Sequence, residues 1–130
     1  MILHNTTMVL IEKDGKFLLA KRGKRPNKGY WCIPGGHVDK GESLYQCAVR
    51  EMKEEIGGIR VSKKPGLAFV HDVWIGHRHK AHLFLGKVAG KIRAGSDAAE
   101  IGWFTLEEMK DMDLTNYTLK TFNKLYSKKV

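Results

Sequence analysis

The segment Gly36–Gly58, GHVDKGESLYQCAVREMKEEIGG, constrains this 130-residue chain more than any other. Ser43 is a suitable N-cap and Gly57-Gly58 a stop, so the pattern predicts a helix over Ser43–Ile56. Tyr45, Val49, Met52 and Ile56 recur at the spacing of one buried face, and that face needs a second layer to cover it. Glu51, Glu54 and Glu55 fall on a different stripe. At about 100° per residue Glu51 and Glu55 lie close together, with Glu54 within ~100° of both.

Clustered acids repel one another on a helix. A divalent cation would relieve that repulsion, and hard carboxylate oxygens suit Mg²⁺, or Mn²⁺ in its place. Gly35 and Gly36 precede the helix and allow backbone to approach a ligand closely. Arg50 is placed to orient Glu51, or to grip Glu42 through a bidentate contact. An exposed, salt-bridged amphipathic helix accounts for this spacing equally well.

The rest of the chain supplies the missing layer. Thr7–Ile11 and Phe17–Lys21 read as strands around the turn Lys13-Asp14-Gly15-Lys16. Gly23–Gly29 is a basic loop, Tyr30–Ile33 a brief strand, and Pro34-Gly35-Gly36 a break. Leu67–Ile75 and Ala81–Val88 form paired strands around Gly76–Lys80, and Ile101–Phe104 a further short one. Thr105-Leu106-Glu107-Glu108 fits a capping box, and Thr115 is placed to cap a last helix reaching Tyr126. Strands mixed with helices imply an α/β domain with a mixed sheet and helices on its faces. No repeat or linker divides the chain, so residues 1–130 are expected to form one domain.

Composition excludes several classes. No apolar run approaches a membrane span, and the start lacks the basic and apolar regions of a signal peptide. Cys32 and Cys47 have neither zinc-site spacing nor disulfide density, which suggests reduced, buried thiols and a cytoplasmic protein. The net charge of +9 favours polyanionic partners such as nucleotides or RNA. Lys120, Lys124, Lys128 and Lys129 read as a solvated helix face.

The complete spacing of the acidic segment resembles the Nudix box. That pattern runs Gly, five residues, Glu, seven residues, Arg-Glu, an aliphatic, any residue, Glu-Glu, any residue, Gly, then an aliphatic. Gly36, Glu42, Arg50, Glu51, Met52, Glu54, Glu55 and Gly57 match it, whereas Gly58 stands where an aliphatic is usual. Phe17–Arg22, Tyr30–Gly36 and Glu100–Phe104 are similar to the family's flanking strands.

The resemblance implies an α/β/α sandwich and hydrolysis of a nucleoside diphosphate linked to another group. It implies Glu51, Glu54, Glu55 and the Gly35 carbonyl as ligands of Mg²⁺, with Glu100 as a further ligand or base. The catalytic set would be Glu42, Arg50, Glu51 and Glu54, with Glu42 bracing Arg50 and Arg50 holding Glu51. Which glutamate acts as base is left open. Family members are often dimers, so a homodimer is one expected assembly.

Substrate choice lies outside the box. Pro65–Leu85 lacks the proline array of many ADP-ribose hydrolases and the tyrosine of many dinucleoside polyphosphate hydrolases. This leaves a MutT-like nucleoside triphosphate pyrophosphohydrolase releasing the monophosphate and pyrophosphate. An ADP-ribose or nucleotide-sugar hydrolase, a dinucleoside polyphosphate hydrolase, an RNA 5′-end pyrophosphohydrolase and a non-catalytic ligand sensor are the competing readings. Arg22 and Lys28, with Lys24 and Arg25, are candidate phosphate contacts. Trp74, Phe84 or Trp103 could stack on a base, and Asn116 could read one through its amide. His71, His77, His79 and His82 crowd one hairpin. We read them as polar hairpin residues, one of them near the substrate, rather than as a metal site, because no cysteine joins them and His82 points away.

Overall fold

The computed structural model describes residues 2–74 and 76–126; Lys128 and Lys129 lie outside the described residues. In chain order it contains β1 (Ile2–Lys13), β2 (Lys16–Arg22), β3 (Trp31–Cys32), β4 (Gly35–His37), α1 (Leu44–Glu55) and β5 (Gly57–Val61). There follow β6 (Ala68–Trp74), β7 (His77–Ile92), β8 (Ala98–Phe104), α2 (Leu106–Met109) and α3 (Asn116–Tyr126).

The sheet is mixed. β1 runs parallel to β7 from Ile2↔His77 to Ile11↔Gly86, and the other pairings are antiparallel. Asp14 and Gly15, both at positive φ, make the tight turn from β1 to β2. β7 changes partners along its length: β6 pairs with its first part, from His77 to His82, and β5 with its second, from Gly86 to Ile92.

Alternation along the central strands assigns each face a core. Met8, Leu10, Phe17 and Leu19 join Met109 of α2 and Phe122 of α3. Their neighbours Val9, Ile11, Leu18 and Ala20 join Ala48 and Met52 of α1, with Ile56 at its end. A sheet buried on both sides by helices is the sandwich expected from the sequence.

α1 opens with a reciprocal capping box between Ser43 and Gln46. Its buried face centres on Ala48 and Met52, while Tyr45 and Val49 sit at the flanks, half-buried. A small Ala48 at the centre lets the helix approach the strands closely.

Three expectations need correction. Gly35 and Gly36 do not merely break the chain: with His37 they form β4, paired to Thr6–Met8 of β1. Gly57-Gly58 ends α1 but at once begins β5. The side chain usual at the Gly58 position would press its Cβ into the Gly90 backbone, about as close as 2.6 Å, which accounts for the one departure from the box. The turn assigned to Gly76–Lys80 is tighter, since β7 begins at His77. The alternating polar run His77–Lys80 pairs with both β1 and β6, an alignment set by distant residues.

Candidate active site

The site is built where α1 lies beside β4. Arg50 is its hub. Its Nε and Nη2 donate to the two Glu42 oxygens at 2.7 and 3.0 Å, and Nη1 donates to Glu51 at 2.8 Å and to Glu54 at 3.3 Å. Nη2 also reaches the His37 carbonyl at 2.9 Å, tying α1 to the end of β4. Planar, bidentate contacts of this kind fix direction as well as distance. Glu42 accepts hydrogen bonds from this fork and from the Asp39 amide, and these, the Arg50 bonds first, hold its carboxyl down at about 2.

Glu51 and Glu55 point towards the glycines. The Gly35 amide donates to Glu55 Oε1 at 3.2 Å. A Cβ on Gly36 would collide with the Glu51 carboxyl group, so only glycine permits this approach. Burial raises the Glu51 pKa, and burial with the neighbouring Glu51 charge pushes Glu55 up to about 8. Two desolvated carboxyls held together are short of positive charge, and their hard oxygens suit a divalent cation. Glu54 is exposed at the outer edge of the same stripe. Among the described residues no three acidic, thiol or imidazole groups already surround a common point, so ligation would draw these side chains together.

A cleft of about 330 Å³ opens next to this cluster. Gly35 and Gly36 form part of its wall, so the carboxylates stand behind the glycines at its edge. Arg22 and Asn116, both candidates from the sequence, line it. Arg22 is partly committed, since its Nε clasps the Pro26 carbonyl at 2.7 Å and pins the basic loop. Asn116 is the first residue of α3, whose start is locked to the approach to β4: the Thr118 hydroxyl accepts from the Ile33 amide at 3.0 Å and from Thr115 at 2.8 Å.

Other candidates lie elsewhere. Lys28 is exposed on the loop outside the cleft lining, and Lys24 pairs with Asp97 at 3.0 Å. The Trp74 backbone closes β6 opposite His77, and its side chain lies outside the described residues. Phe84 is fully buried under α1 and Trp103 packs against that same core, so neither is placed to stack on a base.

Glu100 is exposed and faces Lys21 across β2 and β8, at 3.8 Å. It shares Lys21's side of the strand with Phe17 and Leu19, the side that packs under α2 and α3. α1 covers the other side. The acid outside α1 whose charge Glu55 feels is Asp97, in the loop before β8. Sequence reasoning passed over it because Gly95-Ser96-Asp97 reads as an ordinary turn. The two cysteines are reduced and buried, and Cys47 Sγ sits 3.2 Å from the Thr7 hydroxyl beneath the site.

Comparison with known proteins agrees with this architecture. The family model described as NUDIX domain matches residues 2–124. The chain is 39% identical over 102 residues to the ADP-ribose pyrophosphatase of Methanocaldococcus jannaschii, covering 77% of this chain and 60% of that protein. It is 32% identical over 99 residues to a putative 8-oxo-dGTP diphosphatase of Bacillus subtilis, covering 74% and 62%. The chain thus spans only about three fifths of the length of these relatives. The crystal structure of a MutT NUDIX hydrolase from Burkholderia pseudomallei superposes with a TM-score of 0.84 at 28% identity, over 96% of this chain and 99% of that one. Matched by the family model over nearly its whole length, and carrying the Gly36–Gly57 spacing from β4 through α1 to the start of β5 in the same sandwich, the chain belongs to the NUDIX family.

Proposed function

We propose that the chain is a Mg²⁺-dependent nucleoside triphosphate pyrophosphohydrolase, releasing a nucleoside monophosphate and pyrophosphate. The observation that carries this reading is the attachment of the α1 carboxylates to the cleft wall through Gly35 and Gly36. Glu51, Glu54 and Glu55, with the Gly35 carbonyl, would hold Mg²⁺. When bound, the metal neutralises phosphate charge and makes water a better nucleophile.

The protein's own groups do the positioning. Arg50, fixed by Glu42, sets the direction of Glu51 and Glu54, and a carboxylate of that pair receives the proton of the attacking water. Arg22 offers its remaining N–H groups to phosphate oxygens in the cleft, and Asn116 presents an amide that donates and accepts at once. The likeness to the B. subtilis relative named a putative 8-oxo-dGTP diphosphatase supports the triphosphate substrate.

One other substrate has a specific observation behind it. The M. jannaschii relative is named an ADP-ribose pyrophosphatase, and it is the more similar of the two relatives described. A hydrolysis screen with Mg²⁺ over canonical and oxidised nucleoside triphosphates, ADP-ribose, dinucleoside polyphosphates and 5′-triphosphorylated RNA separates the readings. Preferred turnover of triphosphates is the expected result, and turnover of ADP-ribose alone overturns it. Glu54→Gln should abolish metal-dependent turnover while leaving the fold intact; surviving activity would rule out the carboxylate mechanism.

A further inference from the structure

Five of the six histidines gather at one end of the cleft, although they come from four strands. His71, His77 and His79 are close in sequence, whereas His4 and His37 are remote. Parallel pairing of β1 with β7 sets His4 opposite His79, and antiparallel pairing of β6 with β7 sets His71 opposite His79. Residues directly opposite share a face, so these three rings stand in a row. β4 brings His37 alongside, opposite Thr6 of β1. His82 is the exception, on the other face and bonded to Asn5 at 3.0 Å.

One pair within this group has the spacing of two ligands around a single ion. His37 Nε2 and His79 Nε2 are 3.2 Å apart. Two imidazoles bound tetrahedrally to one Zn²⁺ place their nitrogens about 3.3 Å apart and their ring centres about 5 Å apart. The His37 and His79 centroids are 4.7 Å apart, and His4 lies 5.8 Å from His37 and 6.0 Å from His79. Three donors do not yet meet at one point. His37 and His79 form the preset pair, and His4, exposed and stacked on His77 at 5.5 Å, would leave that stack and turn about its side-chain bonds to complete the set.

We propose that His4, His37 and His79 form a binding site for a divalent transition metal of the Zn²⁺, Co²⁺, Ni²⁺ and Cu²⁺ class, separate from the carboxylates of α1. Imidazole nitrogen is a borderline donor that suits these ions and not Mg²⁺, so the two sites sort cations by donor type. Proton competition is weak here. Burial, reinforced by the surrounding imidazoles, holds His79 down at about 4, so its lone pair is available at neutral pH.

The test is calorimetric titration of the intact, metal-stripped protein with Zn²⁺ in saturating Mg²⁺, paired with electron paramagnetic resonance of the Cu²⁺-loaded form. One equivalent of Zn²⁺ should bind, with nitrogen couplings in the Cu²⁺ spectrum. Affinity should fall by at least roughly tenfold in His79→Gln and in His4→Gln, and stay unchanged in His82→Gln and Glu55→Gln. His4 is exposed, so His4→Gln remains decisive if the substitution at His79 disturbs folding. Absence of Zn²⁺ binding, equal affinity in His4→Gln and wild type, or loss of binding in Glu55→Gln would each overturn the proposal.

Discussion

Arg50 grips both carboxylate oxygens of Glu42, eight residues earlier, while the same guanidinium reaches Glu51. A lysine keeps the charge but not the fork, so it cannot hold two carboxylates in fixed directions. Arg50→Lys is expected to lower kcat by about 10²-fold, the scale of a misplaced reacting group. Circular dichroism should show the fold retained. Activity within twofold of wild type would mean that Arg50 does not position the site.

Two adjacent glycines should fail in different ways. The nearest atoms that a Cβ at Gly36 meets are those of the Glu51 carboxyl group, the far end of a side chain that can move aside. Gly36→Ala should fold normally and lose metal-dependent turnover. A Cβ at Gly35 meets the Thr7 carbonyl and the Met8 backbone inside the sheet. Gly35→Ala should therefore lose about 1–3 kcal/mol of stability, read from urea unfolding.

Two groups of the metal-free protein lose their stabilising effect in acid, in separate windows, while Glu55, pushed up to about 8, works the other way between 8 and 4.5. His79 is held at about 4 by burial and neighbouring imidazoles, against an ordinary 6.5, so the unfolded chain takes up its proton first. The stability His79 adds is lost as pH drops from 6.5 towards 4. Glu42 is held at about 2 by its hydrogen bonds to Arg50, against 4.5. The stability it adds is complete above 4.5 and is lost as pH falls towards 2. Urea midpoints measured against pH should, relative to wild type, lose less between 6.5 and 4 in His79→Gln and less between 4.5 and 2 in Glu42→Gln. The upper window shrinks rather than vanishes, because His37, His71 and His82 are lowered too.

Phe84 is a core residue, fully buried with Val9, Met52 and Ile56. Phe84→Ala should cost about 3–5 kcal/mol in unfolding free energy. The KM for nucleotide, measured where the variant is still folded, should not change. A selective rise in KM would restore Phe84 as a base-stacking residue.

Chelation should separate activity from folding. The two apolar clusters fill the space between sheet and helices without any ligand to α1. Removing divalent ions is therefore expected to abolish hydrolysis while the thermal midpoint falls by only a few degrees, about the shift of 1 kcal/mol.

How much was legible in the sequence depended on distance along the chain. The helix from Ser43, the hairpin at Asp14-Gly15 and the capping box at Thr105 rest on residues a few positions apart, and all three stand in the structure. So does the Arg50 contact with Glu42, because one helix and its preceding loop carry both residues. β4 and β5 escaped notice because glycines dominate them, and their pairing depends on distant strands. The histidine group was visible only in part, since register alone brings His4 and His37 to His79. The nearness of Asp97 to Glu55 was hidden for a similar reason. Strand parity decides which acid faces α1, and a bulge between Lys21 and Arg22 shifts the register beside it.

The change of partners along β7 separates two kinds of tolerance. Its first part, with β6, forms the histidine-bearing wall of the cleft, and its second part, with β5, supports the platform on which α1 rests. Trp74 and His77, the pair at which β6 gives way to β7, stand at the end of that wall away from β5. Lengthening the chain between them would deepen or reshape the mouth of the cleft without sliding β5 against β7 or tilting α1. Relatives could thus diverge in the molecules they admit while the carboxylate helix stays in register, and directed evolution of selectivity would begin between those two residues.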